Sequence, residues 1–343
     1  MNKNNQAINL SSAFAKGADM SAKEEKILND IVSKTKFRPE KVIWRSSYWG
    51  TNQIGAVHYR GQFEGRQSVL KIQGVKPEVS EIYMIGEFEK QNKSTIIRPP
   101  KLFFTIPWSD NVKYEALIME WVAGPKVLES KKLQTQENIR TFLKMYQEYR
   151  SNCIPKKPWL PRLRKSNLEK VLQVLISTSQ KAYPNDPRRQ PDDEKIAQNA
   201  YKLLEKIYQG IPLEFIQGHF STEDLIWQGD QVVLFSSLFW KWRFPFFDAV
   251  FAYHWFMFEL CHVLDITPSQ VEAQREIWLS EILLLPWAQE TPEHFVLAKA
   301  ALLERAVVGM IIDSFLYDPT KPIAAYLIES CRDQTRKLIA ELT

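Results

Sequence analysis

The stretch Phe215-Ile216-Gln217-Gly218-His219-Phe220-Ser221-Thr222-Glu223-Asp224-Leu225-Ile226-Trp227, followed by Val232-Val233-Leu234-Phe235-Ser236-Ser237, interrupts an otherwise helical half of a 343-residue chain. Its density of β-branched and aromatic residues marks a short β-rich interlude. No Gly-x-Ser-x-Gly elbow accompanies Ser221-Thr222-Glu223, so a hydrolase triad is unsupported. Downstream, apolar periodicity predicts helices over 246–264, 268–284, 292–314 and 322–341. Thr267-Pro268 and Thr291-Pro292 each supply an N-cap with proline at the first helical position. Upstream, a helix is predicted from Thr135 to Asn152. Another follows Ser166-Asn167-Leu168-Glu169, which fits a capping box. Pro191-Asp192-Asp193-Glu194 places acids in the first turn of a third, ending near Gly210.

The preceding segment has a different character. Lys41–Ser47, Gly55–Tyr59 and Gln67–Gln73 read as short strands separated by glycine-bearing turns. Pro77 is expected to open a helix to Asn92. Strands over Lys101–Ile106 and Lys113–Trp121 flank the turn Ser109-Asp110-Asn111. Residues 1–20 read as a tail, and Ala22–Thr35 as a helix with Ile27, Ile31 and Val32 on one face. The chain therefore divides into 1–35 (tail and helix), 36–122 (a β-rich lobe with one helix) and 123–343 (a helical lobe). The fold class is α+β, in two lobes with a seam at Glu120–Gly124. Ligands favour clefts at such seams.

Composition is ordinary for a globular protein, 45% hydrophobic and 25% charged, with a net charge of +5. The three cysteines, Cys153, Cys261 and Cys331, are too sparse for a disulfide framework or a zinc site. The N-terminal residues lack the apolar run of a signal peptide, and no stretch is long enough to span a membrane. A cytoplasmic protein is expected. Arg150, Lys156, Lys157, Arg162, Arg164 and Lys165 form a basic run without an acid. It reads as a solvated loop or as a patch for an anionic substrate or partner. No nucleic-acid motif supports it. His58, His254 and His262 read as core or surface histidines rather than metal ligands.

Lys71 stands within the apolar strand Ser68-Val69-Leu70-Lys71-Ile72, where a cation is costly without a partner. Ten residues on, Glu81 in the next helix can supply one, with Glu87 and Glu89 as rivals. A strand lysine paired to a helix glutamate is how kinases hold the nucleotide α- and β-phosphates.

With that pair, the 215–237 stretch resembles the aminoglycoside phosphotransferase and choline kinase family, a branch of the protein-kinase-like fold. That family carries His-Gly-Asp, four residues and then Asn on its catalytic loop, and Ile-Asp-Phe or Ile-Asp-Trp a dozen or so residues later. Ile97-Arg98-Pro99-Pro100-Lys101-Leu102 resembles its Val-Pro-x-Pro strand entry. Ile118-Met119-Glu120-Trp121-Val122-Ala123-Gly124 resembles its hinge, and Phe246-Phe247-Asp248-Ala249 its structural helix start. The resemblance covers residues 40 to 310. It implies a nucleotide site involving Lys71, Glu81, Gly50 and the hinge residue Glu120, with ATP and Mg2+ as cofactors.

By register, Gln217 stands at the family's histidine and Gly218 at its glycine. His219 stands at the catalytic aspartate, Asp224 at the metal-binding asparagine and Ser236 at the second metal aspartate. Phosphoryl transfer needs anions to hold magnesium and an acceptor for the hydroxyl proton. Ser236 is a neutral ligand where a carboxylate is expected. Loss of a positioned base costs about 10²–10⁴-fold in rate. The loop Ser46–Gln53 has one glycine, Gly50, and bulky Tyr48 and Trp49 where amides should approach phosphate. The aromatic run from Leu238 to Phe247 is core or cleft lining.

A pseudokinase follows: a kinase-like scaffold that binds a nucleotide, a small molecule or a protein partner, with ATP and Mg2+ binding weakened or lost. The alternative is an active small-molecule phosphotransferase. In it His219 is the base, Asp224, with or without Glu223, holds magnesium, and Lys71 holds phosphates. A different α+β fold with the same order of elements is the remaining option.

Overall fold

The computed structural model describes residues 21–47, 53–162 and 167–343. Two compact units emerge. One runs through Lys90 and includes Pro99–Ala123; the other comprises Gln91–Arg98 and Gly124–Thr343.

In chain order the first unit contains α1 (Ser21–Thr35), β1 (Arg38–Ser47), β2 (Ile54–Phe63), β3 (Arg66–Gln73) and α2 (Glu81–Gln91). β4 (Ile97–Arg98) belongs to the second unit, and β5 (Leu102–Ile106) and β6 (Glu115–Glu120) return to the first. The five strands form one antiparallel sheet in the order β1-β2-β3-β6-β5. β2 and β3 join through Glu64-Gly65, both at positive φ, the backbone that a two-residue hairpin turn requires. Strand alternation does the sorting. Leu70 and Ile72 of β3 join Val57, Tyr59 and Phe63 of β2 in the core, which leaves Lys71 on the other face. α1 docks through Ile31 and through the buried Glu24, which accepts hydrogen bonds from Arg45 (2.7 Å) and from Tyr59.

Helix α2 starts at Glu81, four residues later than Pro77 predicts. The acid that satisfies its first turn comes from β6. Glu115 accepts the Glu81 amide (3.0 Å) and the Ser80 hydroxyl (2.5 Å). Such a cap is remote in sequence, so local pattern could not place it.

The second unit contains α3 (Gln136–Asn152), α4 (Leu168–Ala182), α5 (Asp193–Ile207), β7 (Glu214–Ile216), β8 (Leu225–Gln228), β9 (Gln231–Leu234) and β10 (Lys241–Arg243). Then come α6 (Phe247–Glu259), α7 (Pro268–Leu283), the short α8 (Pro286–Gln289), α9 (Pro292–Ile311) and α10 (Pro322–Leu342). β7 pairs with β10, and β4-β9-β8 form a small mixed sheet. Thr267 and Thr291 cap their helices as read from the sequence, and Thr135, read as the first residue of its helix, is its N-cap. Asn167, not Ser166, caps α4, accepting from the Lys170 amide at 2.8 Å. Ser166 lies outside the described residues. α6 and the C-terminal two-thirds of α9 are buried almost all round, as expected of helices without a polar face. The buried Arg332 of α10 grips Asp193 with two hydrogen bonds (2.6 and 2.9 Å), tying α10 to the start of α5.

Tyr146, Tyr149, Phe142, Phe220 and Trp278 form an aromatic core, which Trp240 joins through Tyr149 and Phe215. Trp240 is thus core, while Phe239 beside it packs on His219. The three cysteines are buried thiols. No helix among the described residues is long and apolar enough to cross a membrane.

Candidate functional site

In the first unit, the side chain of Lys71 meets Glu81 at 2.5 Å, Nζ to Oε2. The same carboxylate oxygen accepts from the Gln73 amide at 2.6 Å. Strand register sets His58 of β2 opposite Lys71. Burial, aided by the Lys71 charge, pushes His58 down to about 3, so it is neutral at pH 7. Burial pushes Glu115 up despite its hydrogen bonds to Ser80 and Glu81. Among the described residues Glu81 is the acid at ion-pair distance from Lys71, while Glu115 accepts from the start of α2. Sequence reasoning passed over Glu115, Gln73 and Ser80. The signal for Glu115 was an acid heading the apolar run Ala116-Leu117-Ile118-Met119. Glu120, proposed as a nucleotide contact, accepts the Lys101 amide at 2.8 Å and donates its own amide to the Lys101 carbonyl. It therefore clips the lead of β5 to β6. Gly50, with Tyr48 and Trp49, lies outside the described residues.

In the second unit, His219, Asp224 and Ser236 converge. His219 Nδ1 lies 2.7 Å from Asp224 Oδ2. Ser221 donates to the same oxygen at 2.5 Å, and Ser236 donates to Oδ1 at 2.5 Å. Burial raises the Asp224 carboxyl, but the His219 charge and hydrogen bond, with those of Ser221 and Ser236, outweigh it. The group ends below its ordinary range and is an anion at neutral pH. Facing an anion, His219 Nδ1 is the protonated nitrogen, and a neutral ring then presents Nε2 as an acceptor. The ring is held between Phe239 (4.4 Å, near-parallel) and Phe251 (4.7 Å).

The loop geometry is built locally. Gly218 has φ 74°, and a β-carbon there would stand 2.6 Å from the Phe239 carbonyl oxygen, so only glycine fits. Gln217 ties the loop to β9's exit. Its side-chain amide donates to the carbonyls of Phe235 and Ser236 (both 3.0 Å), and its oxygen accepts the His219 amide (2.7 Å). Ser236 has left-handed backbone, φ 62°. Uncommon for serine, that conformation is held by these bonds. From below, the Gln217 amide donates to the Tyr149 hydroxyl (2.7 Å), which donates to Asp248 (2.8 Å) at the start of α6. The Gly218 amide is directed at the same carboxylate without reaching hydrogen-bond geometry. Full burial pushes Asp248 up to about 6. Tyr149 is a site residue that the sequence did not single out, and Ser221 was weighed there only for a hydrolase triad.

Glu223 turns away from Asp224 to Lys126 and Ser130. No group of three or more histidine, cysteine or acidic side chains among the described residues is arranged to hold a metal ion. His254 is a core histidine bonded to Asp313 at 2.8 Å. Arg150, counted in the basic run, is paired with Glu214.

A β-sheet unit in which a strand lysine pairs with the glutamate of helix α2, followed by a helical unit with this loop, is the protein-kinase-like fold. No protein-family model and no curated protein matches the sequence. Solved structures do match. Over 91% of this chain and 98% of the other, it superposes on the apo form of a thermostable mutant of aminoglycoside phosphotransferase APH(4)-Ia, with TM-score 0.56 and 10% identity. A choline kinase from Cryptosporidium parvum Iowa II matches over 92% of this chain and 97% of its own, with TM-score 0.54 and 13% identity. A further mutant of the aminoglycoside phosphotransferase, in a ternary complex with AMP-PNP and hygromycin B, matches with TM-score 0.55 and 11% identity, over 92% of this chain and 98% of its own. The chain has the fold of these enzymes.

Proposed function

We propose that this protein is a pseudokinase, a kinase-fold scaffold that binds a ligand or partner and no longer performs metal-dependent phosphoryl transfer. The observation that carries this is the occupancy of Asp224. Its two oxygens take three donors from the chain itself, His219, Ser221 and Ser236. Magnesium demands near-octahedral oxygen ligands at about 2.0–2.1 Å and favours carboxylates. One carboxylate that already holds three donors, beside a serine and a histidine, does not fit it, and Glu223 is committed to Lys126.

The Lys71–Glu81 pair does fit a phosphate, since the ammonium can exchange part of its contact with Glu81 for phosphate oxygens. The AMP-PNP complex of a structural neighbour supports a nucleotide as the ligand. Lys71 would hold its phosphates without a bridging metal.

One observation favours an active enzyme as a second reading. Asp224 orients His219 as the acid of a catalytic dyad orients its base, leaving Nε2 to accept a proton. Calorimetry of the full chain with ATP, with and without magnesium, separates the two. The pseudokinase requires binding that magnesium does not strengthen. Magnesium-dependent affinity with turnover abolished by His219→Ala would establish the enzyme instead.

A further inference from the structure

Two arginines in the second unit share one aromatic ring. The Arg243 guanidinium, from β10, lies 4.5 Å from the centre of the Phe247 ring. That of Arg305, from α9, lies 5.9 Å from the same ring and 5.2 Å from Phe251. Both Nε atoms are buried without a hydrogen-bond partner among the described residues. Arg305, 8% exposed, has one acid, Asp313 at 2.7 Å, which His254 also engages at 2.8 Å. Arg243 has no carboxylate at ion-pair distance among the described residues. Glu304, beside Arg305 on α9, acts on both cations at longer range, and burial pushes its carboxyl up while the two arginines pull it down. Asp248 accepts from Tyr149. The Tyr201 hydroxyl, in electrostatic reach of both arginines, is likewise buried and unpartnered.

A buried guanidinium is tolerated when an anion meets it. A ring face offers only part of that compensation. The arrangement also has a direction. Phe251, against which Arg305 lies, is the ring that packs on His219 at 4.7 Å. The two cations, of which Arg305 is paired with Asp313 and Arg243 with no carboxylate at ion-pair distance among the described residues, therefore adjoin the His219 loop.

We propose that Arg243 and Arg305, with the Tyr201 hydroxyl, form an oxyanion-binding site next to the His219 loop, which takes a carboxylate or phosphate group of a ligand. Arginine's planar donors match either group. The same pair repels a cationic ligand such as an aminoglycoside or choline. The site stands whether or not a nucleotide binds at Lys71.

Thermal denaturation of the full chain in sodium phosphate, sodium benzoate, choline chloride and sodium chloride, at matched ionic strength, tests this. Phosphate, benzoate or both should raise Tm above the chloride value, and choline should not. Which anion acts identifies the group. Arg243→Gln should lose that increment, with a chloride Tm no lower than wild type, because it removes a buried unpaired charge. Should that variant fail to fold, the Nε–H resonances of Arg243 and Arg305 in wild type decide. Titration with the active anion should shift both. A Tm indifferent to both anions, a full increment in Arg243→Gln, or unmoved resonances would overturn the site.

Discussion

His219 and Asp224 meet at 2.7 Å, Nδ1 to Oδ2, from two positions five residues apart on one loop. They point at each other, with Ser221 and Ser236 closing the ring of donors.

Removing the centre of that ring should unfold it. Asp224→Ala leaves Ser221 buried without its acceptor and frees His219 and Ser236. A loss on the order of 1–3 kcal/mol is expected, since unsatisfied buried donors bear the full desolvation cost. Urea denaturation checks this. A variant as stable as wild type would mean that the three donors find other partners.

Carboxylates restored at two positions should bring back a metal site. In the double variant His219→Asp, Ser236→Asp, three acids crowd where one stood, and like charges at such range resist folding. Magnesium should relieve them. We expect a lower Tm than wild type without metal and a magnesium-dependent rise in Tm that wild type lacks. A double variant blind to magnesium would place these residues outside a kinase-like register.

The Lys71–Glu81 pair is nearly buried, with side chains 12% and 4% exposed. Breaking one partner of such a pair costs about 3–5 kcal/mol, whereas apolar replacement of both is often neutral. Glu81→Leu should therefore be far more destabilising than the double variant Lys71→Met, Glu81→Leu. Both should abolish any nucleotide-induced shift in Tm. If Glu81→Leu alone were harmless, the pair would not be the partner that Lys71 depends on.

Asp248 gives a pH test. Burial raises its folded pKa to about 6 from an ordinary 3.8. A raised acid stabilises fully below its unfolded pKa, and that contribution is lost as pH rises through the folded value. Asp248→Asn keeps an acceptor for Tyr149 and cannot ionise. Relative to wild type it should gain stability between pH 4 and 7, by on the order of 3 kcal/mol. A pH-independent difference would show that Asp248 does not titrate there.

Much of the fold was written locally. Period-two alternation in Ser68–Gln73 put Lys71 on the face opposite Leu70 and Ile72, and threonine–proline pairs fixed the starts of α7 and α9. The order of elements and the place of Lys71, Glu81, His219, Asp224 and Ser236 within it were legible, because spacing along the chain is a sequence property. The Lys71–Glu81 pairing was legible too, whereas the mutual contacts of His219, Asp224 and Ser236 were not. The start of α2 depends on Glu115, 34 residues away. The support under the 217–219 loop depends on Tyr149 and Asp248, from two other helices. The two arginines that share Phe247 come from a strand and a helix some sixty positions apart. Hydrogen bonds and charge pairs act over a few ångströms in space and take no account of chain distance. Tertiary packing alone decided which acid turned inward, which donor reached it and which cation was left without an anion.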